Sequence, residues 1–370
     1  VDGDVINPRG LYQGGDFKGV TAKLDYLKEL GVDSIWLTPI VENIHQNVGS
    51  ATDGEYYAYH GYWALNFEEL NPHLGSLADF HELIDAAAEK GINIIVDVVL
   101  NHAGYGAEET FEGMVRTKEE DKQGDDQLGS LSGLPDFKTE EATVRNQLVA
   151  WQASWLKRST TAKGNSIYGF RVDTVKHVDD TTWQHFKNEL VDRDPDFHLI
   201  GETWGANYKD TKGDLGIGTM ASLLDFGFKD IAKYLVNGQL KAAGKELEER
   251  SKVLTSAASL GQFLGSHDED GFLYSLGGAE KEGNLDKLKL AASLLITAKG
   301  QPVIYYGEEL GQSGQNNWPV YDNRYDFDWS KVETSDIEDH YQKLLAFRNG
   351  NSTLLSRGDT TTLAGNDSQG

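Results

Sequence analysis

The hydrophobic pattern of the chain repeats a helix followed by a strand. Residues 19–30 and 77–90 carry apolar side chains at helical spacing, and a glycine follows each helix or closes it. Buried, strand-like apolar runs follow at 34–39 and 92–100. Because strands that alternate with helices pair in parallel, the pattern predicts an α/β protein with a parallel sheet.

Later apolar runs extend this pattern towards the C-terminus. Further strands are predicted at 169–172, 198–201, 222–224, 262–264 and 302–306. A last helix is predicted at 336–349, before a short tail with β-prone residues at 360–363. The strands total seven, whereas a closed (β/α)8 barrel has eight, so we expect the first strand to be missing.

The helix–strand alternation stops between residues 104 and 136. This segment is polar and rich in glycine, and it has no βα unit. We interpret it as a small domain inserted after the third barrel strand, with a mobile loop as the alternative. The predicted domains are the first part of the barrel, the insertion, the rest of the barrel, and a tail or truncated C-terminal domain, at 1–103, 104–136, 137–350 and 351–370.

Composition narrows the class of protein. The chain of 370 residues is 39% hydrophobic and 10% aromatic, which is too apolar for disorder, and no apolar run approaches the roughly 20 residues that span a bilayer. The net charge of −25 makes nucleic acid and anionic membranes unfavourable partners. Such an excess of acid is typical of secreted proteins, of proteins from salty habitats and of proteins that bind hard cations. We expect a secreted monomer. The absence of cysteine excludes disulfides and thiolate metal sites.

Three carboxylates each follow a strand-like run. They are Asp173 in GFRVDTVKH, Glu202 in HLIGETW and Asp268 in FLGSHDED. The run 94–100 brings three more polar residues to a strand end, namely Asp97, Asn101 and His102. Because the C-terminal ends of parallel strands converge on one mouth of a barrel, these side chains predict a single site. Taken singly, Asp173 or Asp268 is more often a capping or surface residue, whereas Glu202, directly after an apolar strand and Gly201, is hard to explain structurally.

Four segments in order resemble the four sequence regions of the α-amylase superfamily, glycoside hydrolase family 13. They are IIVDVVLNH, GFRVDTVKH, LIGETW and FLGSHD, while AYHGYW and LPDF resemble two further signatures. The resemblance extends from about Gly14 to Arg348. It implies a (β/α)8 TIM barrel with a domain B inserted after strand three, and usually a C-terminal β-sandwich, which is absent or only begun in this chain.

The resemblance also implies a reaction, the endo-acting hydrolysis of internal α-1,4-glucosidic bonds in starch and related α-glucans with retention. It makes Asp173 the nucleophile, Glu202 the general acid and base, and Asp268 the carboxylate that holds the sugar hydroxyls. Retention requires two carboxyl groups roughly 5–5.5 Å apart, one ionised and one protonated. Arg171 lies on the same strand face as Asp173, so its cation is expected to keep Asp173 ionised.

The residues that contact sugar follow from the same motifs. Tyr62 is expected to stack on the sugar with His60 beside it, and Trp63 is better explained as packing. Lys176 and His177 match the α-amylase form of their motif, which favours α-1,4 cleavage. Arg324 is explained equally well by a sugar contact or by a surface salt bridge. The full set of expected substrate contacts is His60, Tyr62, His102, Arg171, Lys176, His177, His267 and Arg324.

The resemblance implies a Ca²⁺ ion that fastens domain B to the barrel. Its expected ligands are Asn101, Asp126, Asp136 and the backbone carbonyl of His177, with Asp125 competing for the place of Asp126. Oxygen donors of this kind suit a hard cation. The alternative is a polar domain interface without metal.

Two other functions remain open. A transglycosylase or maltooligosaccharide-producing relative would have the same motifs and differ only in its acceptor. A carbohydrate-binding relative without activity would be expected to lose members of the acid trio, and this chain retains all three.

Overall fold

A computed structural model describes residues 8–211, 218–255 and 259–367. They fall into two compact units, the first within Val1–Lys28 and Val32–Thr203 and the second within Glu29–Gly31 and Trp204–Gly370. None of the helices in these described ranges has the length and apolarity needed to cross a bilayer.

The strands and helices are numbered in chain order. The strands are β1 (Ser34–Leu37), β2 (Val41–Asn43), β3 (Ala64–Leu70), β4 (Asn93–Val98), β5 (Gly169–Val172), β6 (His198–Gly201), β7 (Ser222–Asp225) and β8 (Ser259–Gln262). The α-helices are α1 (Phe17–Ala22), α2 (Leu24–Leu30), α3 (Leu77–Glu89), α4 (Ala142–Arg158), α5 (Asp180–Arg193), α6 (Phe228–Val236), α7 (Leu240–Val253), α8 (Phe272–Ser275), α9 (Asn284–Thr297), α10 (Asp336–Gly350) and α11 (Ser352–Arg357). Short 3-10 helices lie at Pro8–Gly10, Val175–His177, Glu308–Leu310 and Trp329–Lys331.

The first unit contains a parallel sheet in the order β1, β4, β5, β6. Val98 pairs with Val172, and Val172 pairs with Gly201, so these strands end at the same level. Every residue of β5 and all but the first of β4 are buried. The continuous apolar runs seen in the sequence therefore mark strands that are covered on both faces, as parallel sheets require. The parallel pairing predicted from the helix–strand alternation is confirmed.

The antiparallel pair β2 and β3 was not predicted. Strand β2 has only three residues, and its register with β3 shifts twice, between Val41 and Glu42 and between Glu42 and Asn43. Strand β3 does not alternate between buried and exposed positions. A short, irregular pair therefore lacks the period of two by which a strand is identified in a sequence.

The helices begin and end close to the predicted positions, with one exception. Helix α3 begins at a capping box in which Ser76 and Asp79 bond each other's backbone, and α10 extends one residue beyond its predicted end. The single helix predicted at 19–30 is two helices, because Lys23 leaves the helical conformation (φ −110°, ψ 9°).

The second unit contains the parallel pair β7 and β8 and the helices α6 to α11. The strand predicted at 262–264 lies earlier, at Ser259–Gln262. The predicted strand at 302–306 is not one. However, the N–H groups of Gln301 and Val303 donate to the carbonyls of Leu260 (2.9 Å) and Gln262 (2.8 Å), so this extended segment still follows β8.

The segment 104–136 contains turns and no helix or strand. Isolated bridges join His102 to Asp136 and Val115 to Phe137. Phe111 packs edge-on against Phe137, which directly follows this segment, at 5.2 Å between ring centroids. The predicted domain boundaries stay predictions.

The β-prone residues 360–363 form no strand, and the Thr360 N–H instead donates to the Ser251 hydroxyl (2.9 Å) at the end of α7.

Candidate active site

Two of the predicted catalytic acids follow the ends of neighbouring strands in the first unit. The Asp173 N–H donates to the Val98 carbonyl at 3.0 Å, and the Glu202 N–H donates to the Val172 carbonyl at 2.8 Å. These bonds continue β5 and β6 by one residue each. The backbone therefore fixes Asp173 and Glu202 side by side at the C-terminal edge of the sheet.

Arg171 lies between these two carboxylates. Its Nη1 is 2.7 Å from Asp173 Oδ1, and its Nη2 is 3.9 Å from Glu202 Oε2. Arg171 is 2% exposed, Asp173 8% and Glu202 6%, so water screens these charges only weakly. One buried cation holds both acids close together, which two carboxylates alone would oppose. The prediction that Arg171 lies beside Asp173 is confirmed.

Asp97 is the third carboxylate on this guanidinium, with both oxygens 3.2 Å from Arg171 Nη1. Tyr62 Oη (2.5 Å) and Trp36 Nε1 (3.1 Å) also donate to Asp97 Oδ2. Burial raises the pKa of Asp97 to about 7, with the Asp173 charge adding to the shift and Arg171 and the two donors opposing it. When Asp97 carries a proton it is neutral, so it then competes only weakly with Asp173 for the Arg171 cation.

Thr174 has a backbone conformation that the sequence did not reveal. It is left-handed (φ 49°, ψ 45°), and its N–H donates to Glu202 Oε2 at 2.7 Å. A β-branched residue in this region is strained by about 1–3 kcal/mol, and such strain is concentrated at functional sites. The turn after Asp173 thus supplies a fixed donor to Glu202. A threonine gives no sequence signal for this conformation, and the contact of Trp36 with Asp97 was also missed.

His60, Tyr62 and His102 come together as predicted. The Tyr62 N–H donates to His60 Nδ1 (3.1 Å), and His102 Nε2 donates to the Tyr62 carbonyl (3.1 Å). The rings of His60 and Tyr62 stack at 5.8 Å, and Trp63 packs edge-on against His60 at 4.3 Å. The two histidines therefore hold the Tyr62 backbone in place, and Trp63 packs as expected.

Lys176 and His177 lie in the 3-10 helix that follows Thr174, and both contact Asp126. Lys176 Nζ is 3.7 Å from Asp126 Oδ1, and His177 Nδ1 donates to the Asp126 carbonyl at 2.7 Å. The Asp126 carboxylate is 66% exposed. This carboxylate is directed at Lys176, so the ligand role expected of Asp126 has no support in the geometry.

The other three expected calcium ligands converge. The Asn101 side-chain amide lies 3.2 Å from Asp136 Oδ1 and 3.2 Å from the His177 carbonyl, and its other end lies 3.2 Å from His102 Nδ1. Two orientations of this amide are possible. In one, the Asn101 nitrogen donates to the two oxygens, but His102 Nδ1 must then carry a proton as well as Nε2.

The second orientation fits the neighbouring histidine better. Burial lowers the pKa of His102, which favours a neutral ring with its single proton on Nε2. Asn101 Nδ2 then donates to His102 Nδ1, and Asn101 Oδ1 faces two other oxygens. Three converging oxygens are an environment for a hard cation. Within the described residues, no group of three or more His, Cys, Asp or Glu side chains could hold a metal.

The second unit holds the remaining predicted residues in one cluster. His267 Nε2 is 3.1 Å from Asp268 Oδ2, and Arg324 Nη2 is 3.6 Å from Asp268 Oδ1. Arg324 Nε also donates to the His267 carbonyl (3.0 Å), and its guanidinium lies 3.9 Å above the Tyr321 ring. The Asn316 amide donates to the Asp268 carbonyl at 2.8 Å. Arg324 therefore forms the salt bridge that the sequence left open, and its partner is a predicted catalytic acid.

The chain is similar to known proteins in sequence and in fold. The model of the alpha-amylase catalytic domain matches residues 2–126 and 128–352. The crystal structure of an alpha-amylase from Geobacillus thermoleovorans, complexed with acarbose, is 31% identical with a TM-score of 0.81, covering 99% of this chain and 79% of that chain. The crystal structure of CldA, a cyclomaltodextrin glucanotransferase with a three-domain ABC distribution, is 26% identical with a TM-score of 0.80, again covering 99% and 79%.

The periplasmic alpha-amylase of Escherichia coli (strain K12) is 28% identical over 96% of this chain and 64% of its own length. This chain thus spans slightly less than two thirds of that relative. The coarse fold prediction, an α/β domain of the TIM-barrel type, is confirmed, whereas the inserted domain and the missing strand stay predictions. By sequence and by fold, the chain belongs to the alpha-amylase family of glycoside hydrolases.

Proposed function

We propose that this protein hydrolyses internal α-1,4-glucosidic bonds of starch and related α-glucans with retention of configuration. The observation that carries the proposal is the pair Asp173 and Glu202 on one buried guanidinium. A retaining enzyme needs two carboxyl groups at short separation with different environments. Here Asp173 is bonded to Arg171 at 2.7 Å, while Glu202 accepts a backbone N–H and lies farther from the cation.

The two environments suggest the division of roles. Asp173 is stabilised as an anion by Arg171 and attacks the anomeric carbon, so that the bond to the leaving-group oxygen breaks and a glycosyl ester forms. Glu202 donates its proton to the leaving oxygen and then takes a proton from the incoming water, which hydrolyses the ester. We assign to Asp268 the contact with the sugar hydroxyls, on the basis of its motif. Arg324 and His267 hold its two carboxylate oxygens.

Tyr62 is proposed as the stacking platform for the sugar. Its ring is half-buried, and its hydroxyl is anchored on Asp97. Apolar C–H faces of a sugar pack on aromatic rings. His60, His102, Lys176 and His177 are proposed as polar contacts of the substrate. His267 and Arg324 are proposed as sugar contacts on the basis of their motifs alone.

A transglycosylase is the second candidate, favoured by the likeness to a cyclomaltodextrin glucanotransferase. The two reactions share the glycosyl ester and differ in whether water or a sugar attacks it. A binding protein without activity is less well supported, because all three acids are retained and two of them share one guanidinium.

We also propose that calcium binds to Asn101 Oδ1, Asp136 Oδ1 and the His177 carbonyl. When bound, the ion would supply a structural cross-link between the segment 104–136 and the chain that follows Asp173. In the orientation that a neutral His102 favours, Asn101 Oδ1 lies 3.2 Å from Asp136 Oδ1 and 3.2 Å from the His177 carbonyl oxygen.

We further propose that the protein acts outside the cytoplasm as a monomer. The E. coli relative is periplasmic, and the chain has no cysteine and a net charge of −25. Detection of the protein only in the cytoplasmic fraction of its source, or as an oligomer in light scattering, would contradict this proposal.

A time course of products from soluble starch tests the proposed reaction. Endo-acting hydrolysis predicts an early fall in iodine staining with a mixture of maltooligosaccharides, and α-anomers in the first products by NMR. Incubation with maltoheptaose separates the second candidate, since products longer than seven glucose units would appear only with transfer. If the protein binds maltooligosaccharides and releases no reducing ends, the proposal fails.

A further inference from the structure

Arg116 contacts the carboxylate that we propose as a calcium ligand. Its Nε donates to Asp136 Oδ2 at 2.8 Å, while Asp136 Oδ1 is the oxygen that faces Asn101 and the His177 carbonyl. The two oxygens of Asp136 therefore face different partners, Oδ2 the Arg116 cation and Oδ1 the expected metal position. This inference rests on the calcium proposal above and not on the proposed reaction.

The guanidinium is fixed in this place. Arg116 Nη1 and Nη2 donate to the two carboxylate oxygens of Glu140 at 2.7 and 2.6 Å, which is the bidentate geometry of a strong ion pair. The Arg116 side chain is 6% exposed and that of Asp136 is 2% exposed. Its burial and its pairing with Glu140 thus keep the guanidinium beside Asp136 when a metal ion binds.

We propose that Arg116 sets the calcium affinity of this site by competing with the ion for Asp136. Two effects act in the same direction. Arginine keeps its charge at all ordinary pH values, so it repels a nearby dication. It also occupies Oδ2, which restricts Asp136 to a single oxygen for the metal, and calcium affinity depends on the charge and number of such ligands.

Arg116 also keeps the site assembled when calcium is scarce. The ion pair holds Asp136 and Glu140 together in the absence of metal, where an unpaired buried carboxylate would be costly. The predicted consequence is weak calcium binding in a site that does not collapse without the ion.

Three variants test the proposal by calcium titration calorimetry of the full chain after chelation. Arg116→Gln removes the charge and retains a donor for Asp136, so we expect calcium to bind at least tenfold more tightly. Arg116→Lys retains the charge and serves as the matched control, with affinity expected within about threefold of the wild type. Glu140→Gln removes one of the two carboxylates that share the guanidinium, so Arg116 should compete more strongly for Asp136 and affinity should fall about tenfold.

Melting temperatures with calcium and with a chelator provide a second measurement, since a ligand that binds only the folded state raises the melting temperature. The calcium-dependent rise should be larger in Arg116→Gln than in the wild type and smaller in Glu140→Gln. Equal affinity in Arg116→Gln and Arg116→Lys, or no calcium binding by any variant, would overturn the proposal. If Arg116→Gln does not fold, Glu140→Gln decides, because unchanged or tighter binding would also overturn it. Starch hydrolysis is assayed separately, so loss of the proposed function would be recognised independently.

Discussion

At the scale of single residues, Arg171 connects the groups of the candidate site. It contacts Asp97, Asp173 and Glu202, and the Trp36 ring lies 4.9 Å from its guanidinium carbon. Burial opposes its charge, but the neighbouring acids raise the pKa of Arg171 well above its ordinary value. The cation is therefore permanent, and its shortest contact with a catalytic acid is the one with Asp173.

Replacing Glu202 by glutamine tests the assignment of the proton donor. The amide preserves the shape of the side chain and can still accept the Thr174 N–H, but it cannot donate a catalytic proton. We expect the rate of starch hydrolysis to fall by at least 10²-fold, with maltooligosaccharide binding by calorimetry changed less than about threefold.

The matched control for this prediction is Glu89→Gln, at an exposed position at the end of α3. It should hydrolyse starch like the wild type. Near-normal turnover in Glu202→Gln would remove Glu202 from its proposed role.

At the scale of elements, strands β4, β5 and β6 position the chemistry of the first unit. Each ends one to four residues before a functional side chain, and the parallel register places those ends at one level. The capping residues and apolar spacing that define α3 and α10 are local features, so these helices could be predicted from the sequence. The strands of this sheet were predictable for a similar reason, because burial on both faces leaves continuous apolar runs.

What the sequence could not predict depends on contacts between distant residues. The left-handed turn at Thr174 is fixed by Glu202, which lies 28 positions later. The Arg116 contact with Asp136 joins residues 20 positions apart within a segment that has no periodicity. No local pattern encodes either contact.

The 3-10 helix Glu308–Leu310 gives a pH-dependent prediction. Glu308 is buried, and burial raises its pKa to about 8, with Glu309 adding to the shift and the bond from Tyr341 Oη (2.5 Å) opposing it. In the folded protein Glu308 therefore keeps its proton at pH values where the unfolded chain has lost it, since the ordinary pKa of a glutamate is 4.5. The contribution of Glu308 to stability is fully present below pH 4.5 and is lost as the pH rises to about 8.

Glu308→Gln should remove this loss, because the amide does not ionise and can still accept from Tyr341. Each pKa unit corresponds to about 1.36 kcal/mol. Between pH 5 and pH 8 the free energy of unfolding should fall in both proteins, and the fall should be smaller in the variant by up to about 4 kcal/mol. Urea unfolding followed by circular dichroism at both pH values measures the difference. Glu333→Gln, at an exposed position, should behave like the wild type. An identical pH dependence in all three proteins would refute the assignment.

At the scale of the whole molecule, the charge is strongly unbalanced. The chain has 59 Asp and Glu against 34 Lys and Arg. Such self-repulsion destabilises a compact protein and is screened within about 10 Å at 0.1 M salt. The charge therefore bears on stability and on the choice of partners, whereas the fold follows from the apolar pattern.

Salt should stabilise the protein for this reason. Raising NaCl from about 20 mM to about 500 mM, with chelator present to exclude divalent ions, should raise the melting temperature by several degrees. Over the same range of salt the rise in Tm should be smaller at pH 5, where some carboxylates carry protons. A melting temperature that falls with salt at pH 7 would show that attractive ion pairs outweigh the repulsion.

We propose that Asp173 attacks the sugar while Glu202 protonates the leaving group. This division of roles can be tested by trapping the glycosyl ester with a fluorinated maltosyl fluoride, which reacts with a retaining nucleophile and is released slowly. Mass spectrometry of peptides then locates the label. We expect one label per chain, on the carboxylate of Asp173, and none in Asp173→Asn. A label on Glu202, Asp268 or any other residue, in a protein that hydrolyses starch, would contradict it.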